Sequence, residues 1–409
     1  MKPKCRLPAL LLFPGLLLWL AHADEATPLR DLEIRLLGMA RDATPEESWA
    51  VAPHALSEVL FLMYAGSNNH TTEALHEHLF VDLPRETVHG HVQAMQRDRF
   101  GYRSYTGVWI DPAMDLLASF QAQVEEHWKA PLIQAPLLQD PQEAARNINT
   151  WFSEKTKGRF PHIFDAPPAD KLHFLALNLA EFSGRWDGFD PQDTREMPFY
   201  QNENERVMVH MMRSRQHRNY FQDERFHALQ LPFQGGTLAM LVLLPRDPQN
   251  FDPLLGHLTA QHVQIIHENL RQVELIVHLP KVKTKSHLNW GQILSTHELG
   301  DLFQHEAAPD FSRISGPASM PLFVGQLSQV VTVEWNERGA KAVAITALGG
   351  EPFGTVPTPP PPSHFIANHP FLFVIYDTQD LAILYAGTIR EDSDFVPLQE
   401  APPEDADTP

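Results

Sequence analysis

Residues able to do chemistry occur in this chain in few ordered patterns. There is no Gly-x-Ser-x-Gly nucleophile turn and no Walker-type phosphate loop. His76-Glu77 is followed by Phe80 where a metalloprotease helix would place its second histidine, and His267-Glu268 and His297-Glu298 also lack one. His70, His76, His78, His89 and His91 are dense enough to suggest a metal, since imidazole is a common ligand. The competing reading is a solvated, histidine-rich surface, because no spacing among them fixes a coordination geometry. The single cysteine, Cys5, lies in a segment expected to be cleaved off, so neither a thiol nucleophile nor a disulfide is expected. The expectation is a protein that is not an enzyme and carries no metal and no cofactor.

The informative stretch is Glu337–Thr346. Read with period two, Ala340, Ala342, Ala344 and Thr346 share one face and are all small. Lys341, Val343 and Ile345 share the other, where β-branched residues keep strand propensity. Such a strand can enter a packed sheet without overfilling it. An alanine-rich helix turn is an equal reading of the same window. Beyond it, Gly349–Ser363 is polar and rich in proline, and its four-proline run predicts an extended conformation.

Elements of two kinds must position this stretch. Thr27-Pro28 predicts a helix start, with Leu29, Leu32 and Leu36 on one face. Asp140-Pro141-Gln142-Glu143 predicts another, lined by Ala145, Ile148 and Phe152 and stopped at Gly158. His227–Phe233 and Thr237–Leu244 flank Gln234-Gly235-Gly236 as a hairpin. Val273, Leu275, Val277 and Leu279 alternate as a half-buried strand, and Phe371–Tyr376 with Leu381–Tyr385 predict a fully buried hairpin. Helices first and antiparallel strands later predict an α+β fold. Composition reads Ser67–Gln96 as polar and flexible.

With 409 residues and 43% hydrophobic, the chain can bury a large core, and its net charge of −19 argues against nucleic acid and against a basic membrane-surface protein. Lys2, Lys4 and Arg6, the apolar Leu7–Leu20 and Ala21-His22-Ala23 predict a secretory signal peptide over 1–23. No linker interrupts 24–390, which reads as one domain, and 391–409 reads as an acidic, proline-rich, disordered tail. Asn69-His70-Thr71 is an acceptor sequon, placed in a polar loop, so Asn69 is the expected glycosylation site.

Glu337-Arg338-Gly339-Ala340-Lys341-Ala342-Val343-Ala344 resembles the hinge of the serpin reactive loop, and Phe365–Phe373 resembles the serpin signature. Ordered matches precede them: Ile148–Phe152 with Thr156-Lys157-Gly158, Asn178–Trp186, Leu231–Gly236, Leu279-Pro280-Lys281 and Asp310-Phe311-Ser312. The wording of Val333–Gly339 is most similar to the plasminogen-activator-inhibitor and nexin branch. The resemblance implies three β-sheets, eight or nine helices and an exposed reactive loop over about 337–364. It implies suicide inhibition of a serine protease: the protease cuts the loop, forms an acyl-enzyme, and is trapped when the loop inserts into the central sheet. With the signal peptide, the expectation is a secreted monomer whose partner is an extracellular serine protease. The alternative is a non-inhibitory member serving as a binding or carrier protein.

The family's spacing places the cut bond at Phe353–Gly354, with Leu348 and Thr355 as alternatives because the loop is long. Phe353 suits a chymotrypsin-like pocket. No Lys or Arg lies between Ala342 and Ile389, so a trypsin-like target has no bait. The resemblance further implies hinge roles for Glu337, Gly339, Ala340, Ala342, Ala344 and Thr346. It places Asn178, Trp186, Lys281 and Gln329 where the sheet opens, with Glu337 paired to Lys281. The family's serines are replaced by Ala52 and Ala55. Arg85, Arg97, Arg99 and Arg103 are diluted by Glu86, Asp98 and histidines, which argues against heparin.

Overall fold

The computed structural model describes residues 14–81, 83–128, 131–164, 172–316, 322–324, 326–339 and 363–398, with side chains from Pro28 onward. Helix α1 (Pro14–Ala43) leads into the short β1 (Ala50–Val51), α2 (Pro53–Gly66), α3 (Asn69–His78) and α4 (Val88–Met95). Then come β2 (Tyr102–Ile110), α5 (Ala118–Gln123), β3 (Leu132–Gln134), α6 (Pro141–Lys155) and β4 (Phe174–Phe182). Strands β5 (Arg195–Tyr200), β6 (Arg206–Gln222), β7 (Phe226–Pro232) and β8 (Leu238–Pro245) follow, then α7 (Phe251–Gly256) and α8 (Ala260–Asn269). The chain continues through β9 (Arg271–Pro280), β10 (Val282–Asn289), α9 (Trp290–Leu294), β11 (Gln326–Trp335), β12 (Ser363–Ile366), β13 (Phe371–Asp377) and β14 (Ile383–Ile389).

The strands form a five-stranded sheet, β10-β11-β4-β2-β3, and a nine-stranded sheet, β1-β14-β13-β8-β7-β6-β9-β12 with β5 on β6. Three sheets were expected. The 17-residue β6 joins two of them, because it pairs β5 and β9 along most of its length and β7 at its end. The α+β fold is as expected.

Packing follows the sequence periodicities. Leu29, Leu32 and Leu36 of α1 are buried, but the backbone is helical from Pro14, so Pro28 lies inside the helix and not at its start. Asp140 caps α6 by accepting from the Glu143 amide at 2.9 Å, and Ile148 and Phe152 press the helix onto Leu175, Leu177 and Leu179 of β4 and Val330 of β11. Helix α6 therefore covers the outer face of the five-stranded sheet where β4 meets β11. The expected hairpins are β7–β8 and β13–β14.

Three expectations are corrected. The stretch from Ser67 to Gln96 is folded, because Leu75, Val88 and Val92 pin α3 and α4 to the core despite their polar composition. Asn69 is the first residue of α3 and not part of a loop; it is exposed, at φ 43°, and its amide donates to Asp310 at 2.7 Å. The acidic tail does not begin at Glu391: a 3-10 turn at Asp392–Asp394 and a buried Phe395 extend the packed body. Residues 399–409 lie outside the described residues. Among the described residues, no helix is long and apolar enough to cross a membrane.

Candidate functional site

The centre of the five-stranded sheet holds two neighbours that run parallel, β4 and β11, hydrogen-bonded from Leu175 opposite Gln326 to Glu181 opposite Thr332. Each has an antiparallel partner on its other side, β2 and β10. Midway along this seam, Asn178 and Gln329 face each other in register and are both buried. The Gln329 amide donates to the Asn178 side-chain oxygen at 2.9 Å. It also clasps the Ala52 backbone, accepting from its N–H and donating to its C=O, both at 2.9 Å. Asn178 in turn donates to Ser104 at 3.0 Å and Thr106 at 2.8 Å on β2. At Ala52 the glutamine thus bonds the backbone itself.

The chain leaves β11 at Trp335 and makes a tight turn in which Asn336 and Gly339 exchange backbone hydrogen bonds of 3.0 Å. Gly339 has φ +106°, and a Cβ there would lie 2.4 Å from the Gly184 carbonyl oxygen, so both conformation and close approach demand glycine. The Trp186 indole donates to the Asn336 carbonyl at 3.0 Å and stacks on Phe233. Glu337 is buried and meets the Lys281 ammonium at 2.7 Å and the Thr194 hydroxyl at 2.5 Å. Burial works against its charge, but the hydrogen bonds from Lys281 and Thr194 outweigh that and hold the carboxyl below the usual carboxylate range.

Six expected residues thus fall into two clusters. Trp186, Lys281, Glu337 and Gly339 meet where the chain leaves the sheet, with Asn336 joining them, while Asn178 and Gln329 meet in mid-seam. Ala340, Ala342, Ala344, Thr346, Phe353 and Gly354 lie outside the described residues. Sequence reasoning missed Ser104, Thr106 and Thr194. The alternation Ser104-Tyr105-Thr106 in β2 was a signal for the first two; nothing local marked Thr194. It also missed a largely buried polar cluster that begins two residues after Ala52. There His54 meets Glu33 at 2.7 Å, and Arg99 meets Asp377 at 3.1 Å and Asp380 at 2.9 Å.

The candidate histidines do not converge. His76 stacks near Tyr64, His91 near Phe61, and His89 on His127 at 4.2 Å, while His78 faces Glu298 at 3.8 Å. Among the described residues no group of three candidate ligands could hold a metal ion.

Comparison with known proteins agrees with this geometry. The chain is 28% identical to iripin-3 of Ixodes ricinus, over 88% of this chain and 93% of the relative. It is 27% identical to the leukocyte elastase inhibitor of Equus caballus, over 87% and 96%. The fold superposes on mouse protein Z-dependent protease inhibitor with a TM-score of 0.78 at 20% identity, covering 91% of this chain and 99% of that one. It superposes on uncleaved ovalbumin with a TM-score of 0.76 at 20% identity, covering 90% and 99%. The finer likeness to the plasminogen-activator-inhibitor and nexin branch gains no support from these relatives. The family model described as serpin (serine protease inhibitor) matches residues 28–391, and the chain belongs to that family.

Proposed function

We propose that this protein is a secreted inhibitor of a serine protease that traps its target by inserting its cut reactive loop between β4 and β11. The observation that carries the reading is the parallel seam. A strand returning from Gly339 would run antiparallel to both neighbours and replace one parallel ladder by two antiparallel ones, which are the more stable pairing per residue. Ala340 to Phe353 laid out as a strand reaches about 46 Å, more than the roughly 33 Å of the ten-residue β11. Its small face, Ala340, Ala342, Ala344 and Thr346, would point at the side chains already packed beneath the sheet. The turn at Asn336–Gly339 sets the pivot, and the Lys281–Glu337 pair fixes where it begins.

Phe353, or Leu348 or Thr355, offers an apolar or small bait, and the lack of Lys and Arg from Val343 to Ile389 turns the choice away from trypsin-like enzymes. Four of the relatives are named for inhibiting leukocyte elastase. Secretion is supported by the n-region, apolar run and small-residue cleavage pattern of Met1–Ala23.

The test is incubation of the protein with chymotrypsin-like and elastase-like proteases. The expected outcome is a covalent complex that survives denaturant, together with a large rise in thermal stability after loop cleavage. Ala342→Arg is expected to turn the inhibitor into a substrate that is cut and released. Cleavage with neither complex nor stabilisation would replace this reading by that of a non-inhibitory binding or carrier protein.

A further inference from the structure

The family match ends at Glu391, yet the chain beyond it is not idle. Asp394, 1% exposed, accepts from the Arg390 amide at 3.0 Å, from the Glu391 amide at 2.9 Å, and from the Ser48 hydroxyl. The Ser48 backbone amide donates in turn to the Glu391 carboxylate. Ser48 stands two residues before β1, whose end at Val51 leads into Ala52, the backbone held by Gln329. One residue on, Phe395 is buried, sets its ring 4.8 Å from Phe199 of β5, and makes a backbone bridge to Val282.

Val282 is where three features of the candidate site meet. It is the first residue of β10, the edge of the five-stranded sheet, and it follows Lys281, the partner of Glu337. Across the ladder it pairs with Trp335, the last residue of β11 before the turn that opens the loop. The Trp335 indole donates to the Pro280 carbonyl at 2.8 Å, and the Lys281 amide donates to His210 of β6 at 2.9 Å.

We propose that Glu391–Phe395 is a clasp that holds the β10–β11 pair against the nine-stranded sheet and so positions Lys281 for Glu337. Phe395 and Asp394 are its positioning residues. The role assigned to the Lys281–Glu337 pair rests on the function proposed above; the mechanical tie does not. An edge strand has hydrogen bonds on one side only, so without an outside tie it frays from its free edge. With the clasp closed, β10 and β11 form the fixed side of the seam, and opening moves β4, β2 and β3 away from them. Without it, both sides give, and the loop meets a seam whose mouth is no longer set by Lys281.

The test uses the full chain carrying Phe395→Ala or Asp394→Ala, with Asp394→Asn as the variant that keeps an accepting oxygen. Amide exchange is followed with no protease present. The clasp predicts exchange about tenfold faster at Val282–Lys285 and Val331–Trp335 in both alanine variants, little change in the β7–β8 hairpin, and recovery in Asp394→Asn. Exchange unchanged at β10 and β11, or raised equally in β7–β8, overturns the proposal. The second readout is the ratio of trapped to merely cleaved inhibitor, expected to fall in the alanine variants and return in Asp394→Asn. If the unaltered protein traps no protease, the proposed function fails, while the exchange pattern still decides the clasp.

Discussion

Between β13 and β8, the facing residues from Leu372 opposite Leu243 to Ile375 opposite Met240 are apolar and at most 1% exposed. Between β4 and β11, the seam centres on Asn178 opposite Gln329, equally hidden but polar. The two seams answer to different physics. Apolar burial has no direction and is lost only by admitting water, so it suits a joint that never opens. A hydrogen bond gains little net free energy when formed, but a buried group left without a partner costs its full desolvation. A polar seam can therefore part at small cost, provided an incoming strand supplies new partners. The molecule keeps the first chemistry for its permanent core and the second for the line along which we propose that it opens.

Three substitutions would break or sharpen that contrast. The largest effect is expected from Phe373→Ala in the apolar seam, a loss of about 3–5 kcal/mol read from denaturant midpoints, with no change in exchange at the Asn178–Gln329 seam. A loss below about 1 kcal/mol would mean that β13–β8 is not the fixed element. Next is Gln329→Ala, which strands the Ala52 N–H and the Asn178 oxygen, while the Ala52 carbonyl keeps the Leu56 amide; about 1–3 kcal/mol is expected, with faster amide exchange along Leu177–Ala180. Unchanged exchange there would show that the glutamine does not hold the seam.

No larger is the effect of Lys281→Met, at about 1–3 kcal/mol near neutral pH, since the lysine is partly solvated but the carboxylate it leaves is 6% exposed and keeps only Thr194 as a side-chain partner. The Glu337 carboxyl is held below its unfolded value. Its contribution is therefore complete above the unfolded value of about 4.3 and is lost as pH falls through the folded one. The stability gap between Lys281→Met and the parent should shrink on acidification below about pH 4.3. A gap constant down to strong acid would remove the ion pair from the account.

How much of this was readable beforehand depended on the range of the interaction. Helix α6 was legible because its cap, Asp140, and its face, Ile148 and Phe152, lie within one short window. The β13–β14 hairpin was legible because burial on both faces leaves an unbroken apolar run. Asn178, Gln329, Trp186, Lys281 and Glu337 were marked by resemblance, not by any local signal. Ser67–Gln96 misled because composition averages over a helix, whereas Leu75, Val88 and Val92 occupy only its inner face. The segment at Asp392–Phe395 misled for the same reason: its acidic and proline-rich surroundings hid one buried carboxylate and one buried ring.

By itself the sequence determined the α+β class, the buried hairpins and the membership signalled by ordered motifs. These follow from periodicity and local propensity, which act over a few residues. Only the tertiary structure decided that Gln329 would bond the Ala52 backbone, that Thr194 would join Lys281 on Glu337, and that Phe395 would reach Val282 and Phe199. Each joins residues far apart in the chain, brought together by sheet order and strand register. Those depend on how whole faces pack and not on any one segment, so no window of sequence contains them.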